Sequence, residues 1–368
     1  MEPSRANSHP DPKGITPRQL GYRMPAEWEP HEATWLAWPH NLETWPDQLE
    51  SVKEVWTQML RFLSRAERVR LLVNDEKAQA EATWRLRDAG AVMERLSFLR
   101  IPTVDVWIRD YGPTFVTRNG AEGTLALNDW IFNAWGRKYE SYVEDDRVAK
   151  EIAQLLRVPV FDPGIVLEGG SIDVNGCGTC LTTEQCLLNP NRNPELGRSE
   201  IERTLRDYLG VEHIVWLGEG IAGDDTDGHI DDIARFVDPT TVVCAVEENS
   251  RDENYALLQD GYERLRSATD QQGRRLSVVP LPLPGLVAHQ GSRLPASYAN
   301  FYIANGSVLV PTYGDPNDRI ALGILGDLFP GREVIGIPCA PLVGGLGAIH
   351  CVTQQEPALD RGVVSSIR

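Results

Sequence analysis

Apolar residues recur at helical spacing over residues 49–63 of the chain. The repeating positions are Leu49, Val52, Trp56, Met59, Leu60 and Leu63. Residues three and four apart lie on one face of a helix, so this spacing predicts an amphipathic helix. Asp47, followed three residues later by Glu50, predicts a capping box at its start.

Similar patterns predict helices and strands along the rest of the chain. The predicted helices are Lys77–Ala89, Glu144–Leu156, Glu200–Leu209, Asn254–Ala268 and Asp318–Leu328. The predicted strands are Val69–Val73, Val104–Trp107, Thr114–Thr117, Val158–Phe161, His213–Leu217, Val242–Val246, Leu276–Leu281 and Glu333–Ile337. Asn-Gly pairs accept positive φ, so they predict two hairpins. These hairpins join Ile172–Val174 to Thr179–Thr182 and Tyr298–Ile303 to Val308–Pro311.

The order of these elements indicates a single folded unit. Strands and helices alternate without a dividing linker, although hairpins interrupt a simple parallel order. This pattern predicts one α/β catalytic domain over residues 22–368. Residues 1–21 begin with a polar stretch interrupted by prolines, which predicts a disordered N-terminal arm and not a secretory signal.

Composition narrows the class of ligand. The chain has 368 residues, of which 42% are hydrophobic and 24% charged, as in a soluble globular protein. A net charge of −17 argues against nucleic acid and anionic membranes as partners. It suits a small cation, although an acidic surface also simply aids solubility. Without an export signal or a membrane-spanning segment, the six cysteines are expected to be reduced thiols in the cytoplasm.

One cysteine differs from the other five in its neighbours. Cys351 closely follows the run Gly344-Gly345-Leu346-Gly347 and precedes polar residues. Glycines let the backbone approach a ligand closely, which an ordinary core cysteine does not require. If histidine and carboxylates elsewhere serve it, such a thiol is a candidate nucleophile.

Three further polar clusters contain residues of the required types. They are Trp107–Pro113 with Asp110, Glu168–Ser171, and Asp224–Asp231 with His229. Asp110, Glu168 and His229 are separated by 58 and 61 residues, and Cys351 follows 122 residues later. This nearly regular spacing suggests structural modules that each deliver one group to a shared centre. No strong internal sequence repeat accompanies it.

Three other motifs lack essential partners. Asp225–Ile230 resembles part of a calcium loop, but glycine and alanine stand at its first and last ligand positions. Cys177 and Cys180 have the spacing of a zinc knuckle without a second ligand pair. Gly345-Leu346-Gly347 begins like a dinucleotide fingerprint, but a histidine replaces the third glycine. None of the three supports a metal or dinucleotide site.

A thiol, a histidine and several carboxylates together suit a guanidinium group as substrate. Carboxylates grip the planar, forked guanidinium bidentately and hold its central carbon near the thiol. Attack by Cys351, with His229 protonating the departing ammonia, leaves a thiouronium group on sulfur. Water activated by His229 then hydrolyses this group. Trp107 is a candidate wall for the cationic ligand.

Several longer motifs carry a resemblance to a known family. They are Met24–His31, Arg109–Phe115, Phe132–Gly136, Leu167–Ser171, Asp224–Asp231, Ser297–Tyr302 and Ile349–Pro357. With these motifs in this order, nearly the whole chain from Met24 resembles the agmatine deiminases. That family is grouped with the bacterial-type peptidylarginine deiminases in the guanidino-group modifying superfamily.

The resemblance implies a fold, a reaction and a set of site residues. The fold is a five-bladed α/β propeller, or pentein, of pseudo-fivefold ββαβ modules. Cys351 is implied as nucleophile, His229 as acid and base, Glu168 beside the histidine and the guanidinium, and Asp110 with Asp231 as the clamp. The implied reaction is hydrolysis of agmatine to N-carbamoylputrescine and ammonia by a homodimer or larger oligomer. No metal or organic cofactor is implied.

Substrate choice stays open at this point. Agmatine is a dication without a carboxylate, and residues 223–232 contain no lysine or arginine. We therefore expect Asp224 or Asp225 to meet the far amine, unless both acids merely cap the following segment. The alternatives are a deiminase of free or peptide-bound arginine and a non-catalytic guanidine- or polyamine-binding module.

Overall fold

The computed structural model describes residues 14–118 and 123–359. Residues 1–13 of the expected N-terminal arm lie outside the described residues, whereas Arg18–Leu20 form a short 3-10 helix. This helix packs against the helix Arg198–Leu209. Within the described ranges, no helix combines the length and the hydrophobicity that crossing a bilayer requires.

The elements of the described residues are numbered in chain order. The strands are β1 His31–Ala37, β2 Arg68–Leu72, β3 Leu96–Leu99, β4 Thr114–Arg118, β5 Thr124–Asn128, β6 Val160–Phe161, β7 Asp173–Val174, β8 Thr179–Thr183, β9 His213–Leu217, β10 Ala234–Phe236, β11 Thr241–Val246, β12 Ser277–Pro282, β13 Ala288–His289, β14 Ser292–Arg293, β15 Tyr302–Ile303, β16 Ser307–Thr312, β17 Glu333–Pro338 and β18 Gln354–Pro357. The α-helices are α1 Leu49–Leu63, α2 Glu76–Asp88, α3 Ile108–Tyr111, α4 Ala134–Arg137, α5 Val148–Leu156, α6 Glu184–Leu187, α7 Arg198–Leu209, α8 Asn254–Ser267, α9 Pro316–Leu328 and α10 Ala340–Val343.

One strand arrangement recurs five times in the described part of the chain. In each case a strand pairs antiparallel with one neighbour and parallel with the other. The repeats are β18-β1-β2, β4-β5-β6, β7-β8-β9, β10-β11-β12 and β15-β16-β17. Helices connect every parallel pair, as parallel strands require a crossover. The first repeat takes its antiparallel strand from the C-terminal end, so β18 joins the two ends of the described chain.

Most predicted elements are present, with boundaries shifted by a few residues. Helix α1 begins and ends where its apolar spacing predicted, and β9 also has its predicted bounds. The predicted strand Val104–Trp107 is wrong, because this segment bends before α3. Its backbone N–H groups donate to the Asp145 carboxylate instead of a neighbouring strand, at 2.7 Å from Val104 and 3.1 Å from Asp105.

Some features could not be read from apolar periodicity. The capping box predicted at Asp47 is wrong, because Gln48 is the N-cap of α1 and makes no side-chain cap hydrogen bond. Strand β18 was not predicted, since all its residues are buried although three are polar or charged. Side-chain hydrogen bonds compensate part of this burial: Trp35 donates to Glu356 at 2.8 Å, and the Gln354 amide nitrogen donates to the Pro113 carbonyl at 2.8 Å.

A fully buried arginine joins several repeats near the site. Arg235 lies on β10 and forms ion pairs of 2.9 Å with Glu27 and 3.0 Å with Asp173 of β7. It also donates to the Phe301 carbonyl at 2.7 Å. Removing one partner of a buried ion pair leaves an uncompensated charge, which is far costlier than losing a surface pair.

We therefore expect Arg235→Met to lower the free energy of unfolding by about 3–5 kcal/mol. The exposed Arg100, which pairs with Glu76 at 2.9 Å, provides the control. Arg100→Met is expected to cost less than about 1 kcal/mol. Urea denaturation of the three proteins measures both changes, and equal costs for the two variants would contradict a structural role for the buried pair.

Candidate active site

Cys351 lies in a turn between α10 and β18 and is 5% exposed. The Asn300 side chain holds this turn: its oxygen accepts from the His350 N–H at 2.9 Å, and its nitrogen donates to the Cys351 sulfur at 3.1 Å. The thiol borders a cavity of about 330 Å³. It is therefore both fixed by the fold and open to a small ligand.

A tryptophan requires the glycine at position 347, in the run before Cys351. A Cβ atom on Gly347 would lie 2.4 Å from the Trp107 ring and 3.2 Å from the Cys351 Cβ. Only a glycine lets the chain pass between these two side chains. Trp107 lines the cavity with Trp135, Tyr139 and Tyr142, as the sequence suggested for Trp107. Aromatic walls of this kind suit an organic cation.

Asp110 lies on α3 and also lines the cavity. Its carboxylate accepts hydrogen bonds from the Trp135 indole N–H at 2.9 Å and the Gly170 N–H at 3.0 Å. Burial and the nearby acids Asp231 and Glu168 raise its pKa to about 6, although His229 opposes the shift. Asp110 therefore holds its proton more tightly than an ordinary aspartic acid, in a region of concentrated acidic groups.

His229 is 1% exposed, and its Nδ1 atom lies 3.7 Å from an Asp110 oxygen. Burial by itself lowers the pKa of His229, but the Asp110 carboxylate and other nearby groups raise it well above its ordinary value. A Cβ on Gly170 would lie 2.5 Å from this nitrogen, 2.9 Å from Asp110 and 3.1 Å from Asp231. The absence of a side chain at Gly170 allows these three groups to converge.

Asp231 is fully buried beside the thiol. One of its oxygens lies 3.8 Å from the Cys351 sulfur and accepts from His350 Nδ1 at 2.6 Å. The other nitrogen of His350 lies 2.8 Å from Glu27. Burial alone raises the pKa of Asp231, but the hydrogen bond and charge of His350 hold it below its ordinary value. The second Asp231 oxygen, Oδ1, is buried without a hydrogen-bond partner among residues 14–118 and 123–359.

Glu168 immediately precedes the 3-10 helix Gly169–Ser171 and is fully buried. Its Oε1 atom accepts from Arg192 at 2.8 Å, while its Oε2 atom has no hydrogen-bond partner in the described part of the chain. The structure thus brings together the five residues that the sequence predicted for the centre: Asp110, Glu168, His229, Asp231 and Cys351.

The two acids expected at the far amine have different surroundings. Both Asp224 oxygens accept hydrogen bonds from the turn that follows, including the Gly228 N–H at 2.8 Å and the Thr226 N–H at 2.7 Å. Asp224 therefore caps this turn. Asp225 lines the cavity and has a side chain 36% exposed, and it accepts from the Tyr139 hydroxyl and lies 3.4 Å from Lys138.

The backbone around Trp135, one of the aromatic residues that line the cavity, has an unusual conformation. Ala134, Trp135 and Arg137 have φ values of 54°, 53° and 63°, in the left-handed region that such residues seldom adopt. Local strain of this kind persists only where surrounding structure compensates it. Here the segment directs the Trp135 indole to Asp110. This contact was not predicted from the residue pattern. Its only signal in the sequence was the Phe132–Gly136 motif.

The other contributors missed by sequence reasoning are Asn300, Arg192, Glu27, His350 and Cys186. Three of them stand inside quoted motifs, but nothing in those motifs shows which side chains meet. Cys186, Glu168 and His229 place three potential metal-ligand atoms within 4.8 Å of one another. No cluster of this composition was anticipated, since its members lie far apart in the chain.

Comparison with known proteins identifies the family. The profile of the Porphyromonas-type peptidyl-arginine deiminases matches residues 23–357. The chain belongs to this family. An agmatine deiminase of Stutzerimonas stutzeri (strain A1501) is 41% identical over 368 residues, covering 93% of this chain and 97% of that protein. The resemblance drawn from the motifs, and the expectation of an enzyme, are confirmed.

Solved structures of family members share the fold. An agmatine deiminase of Enterococcus faecalis superposes with a TM-score of 0.88 at 37% identity, covering 95% of this chain and 99% of that one. A C. jejuni agmatine deiminase with substrate bound gives a TM-score of 0.82 at 32% identity, covering 92% and 96%. The expected α/β fold is thereby confirmed for this deiminase-family chain.

The acids around Cys351 predict a thiol that ionises with difficulty in the free protein. Burial, followed by the charges of Asp231, Asp232 and Asp110, raises its pKa well above the ordinary value. We expect iodoacetamide to alkylate Cys351 slowly at neutral pH and faster as the pH rises. Its half-maximal rate should lie at a more alkaline pH than in the urea-unfolded chain.

Mass spectrometry of the Cys351 peptide over a pH series measures this reaction, in a Cys177→Ser variant that removes the exposed thiol. Asp231→Asn should move the midpoint to lower pH, because it removes a neighbouring negative charge. Rapid alkylation at neutral pH, with a midpoint below that of the unfolded chain, would contradict the assigned electrostatics.

Proposed function

We propose that this protein hydrolyses agmatine to N-carbamoylputrescine and ammonia through a covalent intermediate on Cys351. The observation that carries the proposal is a buried thiol 3.8 Å from the Asp231 carboxylate, at an aromatic-lined cavity that also contains Asp110. Buried carboxylates require a cation as partner. The agmatine deiminases similar to this chain support agmatine as that cation.

The guanidinium group is proposed to bind among the central acids. Asp231 Oδ1 and Glu168 Oε2 are buried carboxylate oxygens without hydrogen-bond partners in the described protein. A guanidinium offers five N–H donors in one plane and satisfies several such acceptors together. Asp110 supplies a further carboxylate in the same cavity as the thiol. Binding therefore holds the central carbon of the substrate near the Cys351 sulfur.

The bound cation also prepares the nucleophile. In the free protein, burial and then the charges of the surrounding carboxylates hold the pKa of Cys351 well above its ordinary value. A guanidinium among the same carboxylates offsets their charge and favours the thiolate. The reactive form of the enzyme is then populated chiefly when substrate is present.

The reaction follows as two displacements. The thiolate of Cys351 bonds to the guanidinium carbon, and one terminal C–N bond breaks while His229 donates a proton to the leaving ammonia. This leaves a thiouronium group on sulfur. His229 then removes a proton from water, the resulting hydroxide attacks the same carbon, and the C–S bond breaks while the new hydroxyl group loses its proton to solvent. The products are N-carbamoylputrescine and the restored thiolate.

The outer part of the cavity suits the far amine of agmatine. The aliphatic chain of agmatine passes along the aromatic wall of Trp107, Trp135 and Tyr139, and Asp225 contacts its ammonium group. Asp224 is left out of this role because its oxygens cap the adjacent turn. Lys138 lies beside Asp225 in a partly exposed part of the cavity. Binding of the ligand therefore requires the Asp225 carboxylate to interact with the ammonium group as well as with Lys138.

The same features weigh against the alternatives. Free arginine brings a carboxylate towards Asp225 and Glu43, which also borders the cavity, and like charges repel there. A non-catalytic guanidine-binding module has no need of a thiol placed beside the clamp. Ammonia release on addition of agmatine distinguishes an enzyme from such a module in one assay.

The five strand repeats support a proposal for the architecture. Each has the ββαβ order, with the first completed by β18 from the C-terminal end. We propose that they form the five blades of a pentein propeller. The central residues come from different repeats or their connections, as a shared centre requires.

Covalent catalysis predicts that Cys351→Ala abolishes turnover while the protein remains folded. Only one thiol is removed, and circular dichroism provides the folding control. Wild-type enzyme quenched during turnover should show a substrate-derived mass increase on the Cys351 peptide. Activity retained in the variant would exclude Cys351 as the nucleophile.

The position of Asp225 predicts the substrate preference. We expect kcat/KM for agmatine to exceed that for arginine by at least about a hundredfold, or about 2.7 kcal/mol. Asp225→Asn should reduce this ratio, because its charge no longer attracts the amine or repels the carboxylate. Glu43→Gln, at another acid of the cavity, should change the ratio less. Equal kcat/KM values for the two substrates in the wild type would favour a broader arginine deiminase.

A further inference from the structure

Cys186 is a buried thiol that the proposed reaction does not use. It lies on the short helix α6, is fully buried, and has its sulfur close to Glu168 and His229. One ligand atom from each of the three residues lies within 4.8 Å of the others. A thiol, an imidazole and a carboxylate are the ligand types that zinc selects in proteins.

Two members of this cluster carry polar atoms that lack partners. The Glu168 Oε2 atom and both ring nitrogens of His229 are buried without a hydrogen bond of good geometry among the described residues, although the Cys186 thiol is near enough to interact with the imidazole. Leaving such groups unpaired inside a protein is costly. Because His229 Nδ1 faces Asp110 at 3.7 Å, Nε2 is the nitrogen left for another partner.

We propose that Glu168, Cys186 and His229 form a binding site for a thiophilic divalent cation such as Zn²⁺. A carboxylate, a thiolate and a neutral imidazole carry two negative charges, which the cation balances. Three protein ligands leave one position of a tetrahedral zinc site for a further ligand.

The surrounding structure holds the three ligands in place. Arg192 donates to Glu168 Oε1 at 2.8 Å and leaves Oε2 for the metal. The Thr183 hydroxyl accepts from the Cys186 N–H at 3.2 Å and donates to the Gly228 carbonyl, next to His229, at 2.6 Å. Outer partners of this kind orient metal ligands and contribute strongly to affinity.

A metal ion at this site binds the lone pair of the His229 imidazole. The same lone pair accepts and releases protons in the proposed reaction. If the proposed function is correct, metal binding and turnover therefore exclude one another, and the site acts as a reversible block. The block does not require the nucleophile, because Cys351 is not one of the three ligands.

Cobalt binding tests the site without any catalytic assay. Co²⁺ is added to a Cys177→Ser/Cys351→Ala protein, which lacks the exposed thiol and the nucleophile. Thiolate-to-cobalt charge-transfer absorption should appear with one equivalent and disappear when Zn²⁺ displaces Co²⁺. Adding Cys186→Ser, a replacement of similar shape, should remove this absorption and weaken binding by at least about tenfold.

Cys244→Ser in the same protein is the matched control, since Cys244 is also a fully buried free thiol. It should keep both the absorption and the affinity. Unchanged absorption after Cys186→Ser, or no absorption in the starting protein, would overturn the proposal. Circular dichroism confirms that each variant is folded, and Glu168→Gln supplies a second ligand variant if Cys186→Ser does not fold.

Activity provides a separate arm. Zn²⁺ should inhibit ammonia release from agmatine by the wild type, a chelator should restore it, and Cys186→Ser should resist inhibition relative to its own metal-free rate. Equal inhibition of both proteins would contradict the block. Absence of ammonia release in every sample would count against the proposed function, while the cobalt experiment would still decide the metal site.

Discussion

Burial of charged groups with their partners is the constraint on which the rest of this structure depends. Arg235, Glu27, His350 and Asp231 form a continuous chain of contacts between 2.6 and 2.9 Å inside the protein. Both ring nitrogens of His350 face carboxylate oxygens, at 2.6 Å from Asp231 and 2.8 Å from Glu27. Losing any member leaves a neighbour charged and unpaired in a region of low dielectric.

This chain of ion pairs also sets the geometry of the chemistry. His350 directly precedes Cys351, so the contact that balances Asp231 holds the thiol 3.8 Å from the same carboxylate. Arg109 extends the network through an ion pair of 3.4 Å with Glu27, and the next residue is Asp110. Stability and positioning therefore depend on the same contacts, and the conformational entropy of the site is lost during folding rather than on binding.

The sequence and the structure agree most closely where residue type alone identifies chemistry. Cys351 could be singled out by its glycine neighbours, and His229, Asp110 and Glu168 by their spacing, before any contact was known. The glycines border the cavity, and Gly347 in addition makes room for the Trp107 ring beside the thiol. Strand β18 escaped prediction because its burial is supported by hydrogen bonds and not by apolar side chains.

By itself the sequence determined the α/β class, most helices and strands, the family, and the candidate residues of the centre. These properties reside in local periodicity and in short motifs. Only the tertiary structure decided that Asp224 caps a turn while Asp225 borders the cavity, and that Cys186 lies beside His229. Contacts between residues distant in the chain depend on how the strand repeats pack, and one-dimensional spacing does not contain that information.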